Sequence, residues 1–242
     1  MCIYRLPRGE SIVRPPSHCP HCKRPVRWYD NVPILSFLIL RGRCRNCGKQ
    51  ISIRYAVVEL ISGVFFVWTG VNFGWSFQSG IGIFLFSSLL IVSAVDLEHQ
   101  IIPDEISLGG LLIGLLVSSL FPSLHRETIW WRGLIQAIVG MLVGGGIIYV
   151  TGVLGDLIFR KESMGGGDVK LLAMLGAFLG WQKVILVYLL APVLALPFGL
   201  FLKFVKRVNV LPYGPFLSLA GWFSFLWGES VIRWYLYGMK FY

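Results

Sequence analysis

Seven apolar runs, separated by short polar breaks, fill residues 55–242. They lie near 55–73, 80–97, 106–121, 132–157, 168–180, 183–204 and 213–228. Several are short of the roughly 20 residues that carry a helix across the hydrocarbon core of a bilayer, so their boundaries are soft. Glycine strings inside them ("GGLLIG", "VGMLVGGG") favour close helix packing. Residues 1–54 break the pattern: they are polar, Pro-rich and Cys-rich. The pattern predicts an all-α polytopic membrane protein of about seven transmembrane helices over 55–242. Residues 1–54 form a small region outside the membrane.

Composition agrees and adds an orientation. Hydrophobic residues make up 55% of the 242 and charged residues 14%, against about 25% charged in a soluble domain. The formal net charge is +10. Residues 1–54 hold a dense set of cations, opposed only by Glu10 and Asp30. Beside membrane spans, such a block reads as a cytoplasmic anchor. With 1–54 in the cytoplasm, the breaks at 98–105, 158–167 and 205–212 face the same side and carry Arg160, Lys161, Lys206 and Arg207. The opposite side receives Arg126, Arg132, Lys183, Arg233 and Lys240. No leading apolar segment resembles a cleavable signal peptide. No stacked aromatic platform accompanies the basic block, so protein or the lipid surface is expected as its partner, and no nucleic acid.

The polar region reads "CPHC", a spacer, then "CRNC". Each pair places two thiols on one tight turn, and the four, Cys19, Cys22, Cys44 and Cys47, suit a closed tetrahedral Zn²⁺ site of structural type. Two disulfides or a redox pair are the other readings, and neither suits a basic cytoplasmic segment. His21 lies within the first turn as a possible substitute ligand, and Cys2 is left over. Between the pairs, "NVPILSFLILRG" (31–42) predicts a small strand or hairpin core.

Charge inside a membrane span is costly and is usually paired or functional. Asp96 ends the run "GIFLFSSLLIVSAVD" and Asp168 begins "VKLLAMLGAFLG". Alternating spans put both near the cytoplasmic side at similar depth. Two facing carboxylates share a proton, so one can activate water while the other protonates the substrate. In "MGGGDVKL", Gly165, Gly166 and Gly167 would let the backbone approach a substrate strand and adopt positive φ. The plainer readings are an N-cap for Asp168 and a solvated span end for Asp96. His99, three residues after Asp96, is a further neighbour. The chain lacks GxSxG, HExxH and P-loop motifs.

Together these segments resemble the bacterial type IV prepilin peptidases, of the GxGD aspartic intramembrane class. "MGGGDVKL" is similar to their GxGD motif, with Gly165, Gly167 and Asp168 as its fixed letters. "DLEHQIIPDE" resembles their other aspartate segment, with Asp96 at the catalytic position and Pro103–Asp104 as a trailing landmark. "CPHC…CRNC" resembles their cytoplasmic tetracysteine loop, "ISIRYAVVEL" its exit, and "LPYGPFL" a landmark before the last span. The likeness is collinear along the chain.

The resemblance implies a bifunctional enzyme of the bacterial inner membrane with its active site facing the cytoplasm. It would cleave the leader of type IV prepilins or pseudopilins after a glycine, with Asp96 and Asp168 as the protease pair. It would then N-methylate the new N-terminus from S-adenosylmethionine. Gly165, Gly167, Asp104 and Lys170 are expected at the motif and substrate approach, and Glu98, Asp104 and Glu105 as contacts for a basic leader. The residues of the methyl transfer are not readable, and the basic N-terminal region is the first place to seek them. Family members begin with an apolar span ahead of "IYRLP". This chain opens at "MCIYRLPRGE", which implies seven spans where the family has eight. Outside the resemblance, a proton-coupled transporter and a non-catalytic scaffold of a pilus or secretion machine remain open.

Overall fold

The computed structural model describes residues 2–14, 16–160, 164–206 and 211–238. Lys161, Arg207 and Lys240 of the charge argument lie outside them. Among the described residues there are helices and turns, and no strand. The chain divides into two compact units, Met1–Ser87 and Ser88–Tyr242.

The first unit opens with the short helix α1 (Cys2–Arg5). Arg5 is almost wholly buried. Its guanidinium donates to the carbonyls of Ser11 (2.8 Å) and Pro16 (3.3 Å), so the following loop folds back around a cation. The segment 31–42, expected as a strand or hairpin, forms α2 (Leu35–Ile39). Pro33 has no amide for a ladder, and the Leu-rich run closes its own bonds: Leu38 N–H to Ile34 O at 3.0 Å, and Leu40 N–H to Ser36 O at 3.0 Å. Glu59 accepts the Ile34 amide at 2.8 Å. Asp30 takes a forked bond from Arg45 (2.7 and 2.8 Å), which holds its carboxyl below the usual carboxylate range.

Helix α3 (Ile53–Phe73) starts at Ser52, whose hydroxyl accepts the Arg54 amide. It presents Ile53, Leu60, Val64, Val67 and Val71 outward, as expected of a helix whose solvent is lipid. Helix α4 (Phe77–His99) spans the division between the units. Phe65 of α3 stacks on Phe86 of α4, with ring centroids 3.7 Å apart.

The second unit holds the rest of α4, then α5 (Asp104–Leu120), α6 (Trp130–Phe159), α7 (Gly166–Leu179), α8 (Trp181–Phe201) and α9 (Gly214–Tyr237). Each apolar run of the sequence thus becomes one helix. Among the described residues, four helices are long and apolar enough to cross a membrane: Ile53–Phe73, Phe77–His99, Trp130–Phe159 and Trp181–Phe204. Helix α7 is different. Its 14 residues reach about 21 Å, short of the roughly 30 Å hydrocarbon core. It packs against α5, α6, α8 and α9, and every residue from Leu171 to Leu179 is buried except Ala173.

Glycines allow that central packing. A Cβ at Gly140 of α6 would strike the carbonyl of Gly176 in α7, and one at Gly176 would strike the carbonyl of Gly140. The two backbones therefore touch directly, the close approach that small residues permit. At the C-terminal end of α7, Ser118 donates to the Ala177 carbonyl at 3.1 Å and is bonded to His125 at 2.8 Å. Gly180 (φ 79°) then turns the chain into α8.

Candidate functional site

The four cysteines lie within the first unit, on two turns of the same construction. In each, the first Cys amide donates to the carbonyl five residues on: Cys19 to Arg24 at 3.0 Å, Cys44 to Lys49 at 2.8 Å. In each, the amide four residues on returns to the first Cys: Lys23 to Cys19 at 2.9 Å, Gly48 to Cys44 at 2.9 Å. The donors of those return bonds, Lys23 and Gly48, both take positive φ. Matching antiparallel bridges, His18 with Pro25 and Arg43 with Gln50, close the two turns.

All four Sγ atoms lie within 4.8 Å of one another, with Cys19 and Cys47 at 3.9 Å. That contact is far beyond a disulfide bond. It fits the edge of about 3.8 Å that a tetrahedron of thiolates at about 2.3 Å from Zn²⁺ requires. The thiols respond to one another. Burial raises Cys19, but the amides of Cys22 and His21 outweigh it and bring the thiol down to about 7. At Cys47 the pull of the Lys49 amide is outweighed by desolvation and three neighbouring sulfurs, which push it up to about 11. A bound dication would relieve that crowding. The residues therefore fit a metal ion. His21 is exposed and outside the cluster.

The carboxylates lie within the second unit. Asp96 occupies the last turn of α4. Gln100, in the left-handed region at φ 54°, ends that helix by donating to the Asp96 carbonyl at 2.9 Å. The chain then runs extended to Pro103, which caps α5 in an extended conformation. The string "DLEHQIIPDE" is thus a helix end, a short crossing and a helix start.

Asp168 sits in the first turn of α7, whose N-cap is Gly165. Its carboxylate accepts the Gly165 amide, the half of a capping box in which the third helical residue reaches back to the N-cap amide. The crossing rests on this turn, since a Cβ at Gly167 would fall 2.9 Å from the Cβ of Ile102. That contact brings the two aspartate segments together, and the Asp96 and Asp168 carboxylates lie within electrostatic reach of each other. Asp96 is almost fully buried and Asp168 half-buried.

The glycines act differently from expectation. None of Gly165, Gly166 and Gly167 takes a positive φ, because the helix begins among them and helical φ is negative. Gly167 is used for close approach to Ile102. Gly165 lies against the Asp168 carboxylate, and Gly166 has open space on its Cβ side. Lys170 and Asp104 meet each other, with Nζ 2.7 and 2.8 Å from the two oxygens. Both are substantially exposed, as are Glu98 and Glu105. His99 faces Glu98 at 3.9 Å.

One contact to the pair was not anticipated from the sequence. The Gly214 amide, at the start of α9, donates to Asp96 Oδ2 at 2.7 Å. Half-buried Tyr213 lies within electrostatic reach of Asp168. The string "LPYGPFL" stood out as a landmark, but nothing in its spacing or periodicity tied it to Asp96.

Two family models match successive parts of the chain. Residues 1–73 match the family model described as the bacterial peptidase A24 N-terminal domain, and residues 83–200 match the type IV leader peptidase family. The chain is similar to a prepilin leader peptidase/N-methyltransferase of Stutzerimonas stutzeri, 39% identical over 231 residues. That alignment covers 93% of this chain and 76% of the relative. A relative of the same description from Aeromonas hydrophila is 36% identical over 247 residues, covering 96% and 81%. One from Pseudomonas aeruginosa is 35% identical over 231 residues, covering 93% and 76%. No solved structure matches the chain.

Proposed function

The chain belongs to the type IV leader peptidase family, and we propose that it cleaves the leader of type IV prepilins or pseudopilins through Asp96 and Asp168. The observation that carries this reading is that two carboxylates from separate segments, one of them almost fully buried, lie within electrostatic reach of each other at the ends of two apolar helices. One carboxylate, ionised, takes a proton from water as the oxygen attacks the scissile carbonyl carbon. The other, protonated, gives its proton to the departing amine nitrogen as the C–N bond breaks. The products are a leader ending in a new carboxylate and a pilin with a free amino terminus. Glu98, Asp104 and Glu105 give the approach a negative field suited to a basic leader, with Lys170 holding Asp104 in place.

The reading places this site at the cytoplasmic face of the bacterial inner membrane, on the charge asymmetry of the chain. Residues 1–54 form a cytoplasmic module whose four thiolates hold Zn²⁺ as a structural ion, with no open position for chemistry. Residues 55–242 form the peptidase domain.

Methylation of the new amino terminus from S-adenosylmethionine belongs to the same proposal, supported by the description of the relatives. A shallow cavity of about 450 Å³ is lined by Phe223, Trp227, Ser230, Val231 and Trp234. Its lining offers no carboxylate to meet ribose hydroxyls or a sulfonium centre, so it does not fit this cofactor.

The test uses purified protein with a prepilin and follows the leader by mass. Wild type should release it, while Asp96→Asn and Asp168→Asn should retain it with thermal unfolding unchanged. Cleavage by either variant at the wild-type rate would remove the pair from the mechanism.

A further inference from the structure

We propose that Gly214 is a positioning residue for the peptidase reaction: its amide holds the Asp96 carboxylate, and its missing side chain is what lets the carboxylate reach that amide. This rests on the reading of Asp96 as a catalytic carboxylate and extends it to a third segment, far along the chain.

At the start of α9 most backbone donors are missing or already committed. Pro215 has no N–H. The Phe216 and Leu217 amides both donate to the Tyr213 carbonyl, at 3.1 Å each. The amide left to serve another group is that of Gly214, and it donates to Asp96 Oδ2 at 2.7 Å. The helix start thus presents a single directed donor, and a buried carboxylate occupies it. A buried charged group without a partner is among the costliest arrangements in a protein, and this bond partners Asp96.

Glycine is needed here for space, not for backbone freedom. Gly214 is absent from the residues of positive φ, so any L residue could adopt its backbone. A Cβ, however, would fall 2.8 Å from Asp96 Oδ2, 3.1 Å from Cγ and 3.2 Å from Cβ. It would push the carboxylate off its donor. With Oδ2 fixed by the amide, Oδ1 is the oxygen left for the reacting water, and the plane of the carboxylate is set relative to Asp168. Misplacement of a reacting group by about 1 Å is enough to cost about 100-fold in rate.

Gly221 supplies the control. It lies two turns further along α9, and a Cβ there would meet the branched end of Leu175 at 2.9 Å. The crowding is similar, but the neighbour is a leucine and not a carboxylate. Gly214→Ala and Gly221→Ala should therefore disturb folding alike and catalysis differently. With full-length protein and a prepilin, Gly214→Ala should lower kcat about 100-fold with KM little changed, while Gly221→Ala stays within a few-fold of wild type.

If Gly214→Ala does not fold, the 214 residue can be replaced by glycolic acid through nonsense suppression. This exchanges the N–H for an ester oxygen and adds no Cβ. The ester protein should show the same loss of kcat with KM retained. Wild-type kcat in Gly214→Ala or in the ester protein would overturn the proposal, as would equal losses in the two alanine variants. If wild-type protein releases no leader, the peptidase reading itself has failed, an outcome distinct from either.

Discussion

The cysteine cluster and the aspartate pair are assembled by opposite means. Each half of the cysteine cluster is closed by bonds between residues four and five apart and by a bridge between residues seven apart, and the same turn is used twice, at Cys19–Cys22 and Cys44–Cys47. The aspartate pair is assembled from three distant segments. It depends on the Gly167–Ile102 contact, on the close approach of α6 and α7 at Gly140 and Gly176, and on the amide of Gly214. Local chemistry builds the first, so it should fail locally when a ligand is lost. Packing at a distance builds the second, so it should respond to glycines far from either carboxylate.

The largest effect that separates them is metal loss. Cys19→Ser with Cys44→Ser removes one thiolate from each turn. Metal content, measured by elemental analysis, should fall to background, and residues 1–54 should become protease-sensitive, since structural Zn²⁺ sites hold about 10–16 kcal/mol of apparent binding free energy. Full zinc content in this variant would reject the four-thiolate site.

A smaller effect is expected from the other kind of construction. Gly176→Val places a branched side chain where the backbones of α6 and α7 touch. Overpacking of this sort costs about 1–3 kcal/mol, occasionally more. The thermal midpoint should drop and leader cleavage should fall, with zinc content untouched. An unchanged midpoint would show that α7 is not fixed by that contact.

The smallest effect concerns the exposed Asp104–Lys170 pair. Such pairs are worth about 0.2–1 kcal/mol. Asp104→Asn should leave stability nearly unchanged and raise KM a few-fold for a lysine-rich leader, more at low salt than at high. A KM indifferent to salt and to this substitution would remove Asp104 from leader binding.

The same contrast explains what could be read from the sequence. The thiol spacing "CPHC…CRNC" is set by turn chemistry, so the cluster was legible residue by residue. The long helices were legible as apolar runs because lipid demands that every backbone group be satisfied within a helix. The run 168–180 already showed α7 to be short, but its burial was not legible, since an apolar run looks alike whether its neighbours are lipid or other helices. Segment 31–42 misled because its bulky apolar residues fit a strand as well as a helical turn, and its one decisive residue, Pro33, is a weak signal alone. The run "GGGD" announced close approach, but the sequence could not say to what: Gly167 meets Ile102. Gly214 was visible only as part of "LPYGPFL". Its bond to Asp96 is a product of folding, and no local pattern encodes it.

The central claim is that Asp96 and Asp168 act as one unit. The most direct test measures single-turnover leader release for wild type, Asp96→Asn, Asp168→Asn and the double variant. Members of one catalytic unit are grossly non-additive. The two single variants and the double variant should therefore share one residual rate, about 10⁴-fold or more below wild type. Losses that multiply in the double variant, or a single variant that still releases leader at a substantial rate, would contradict it.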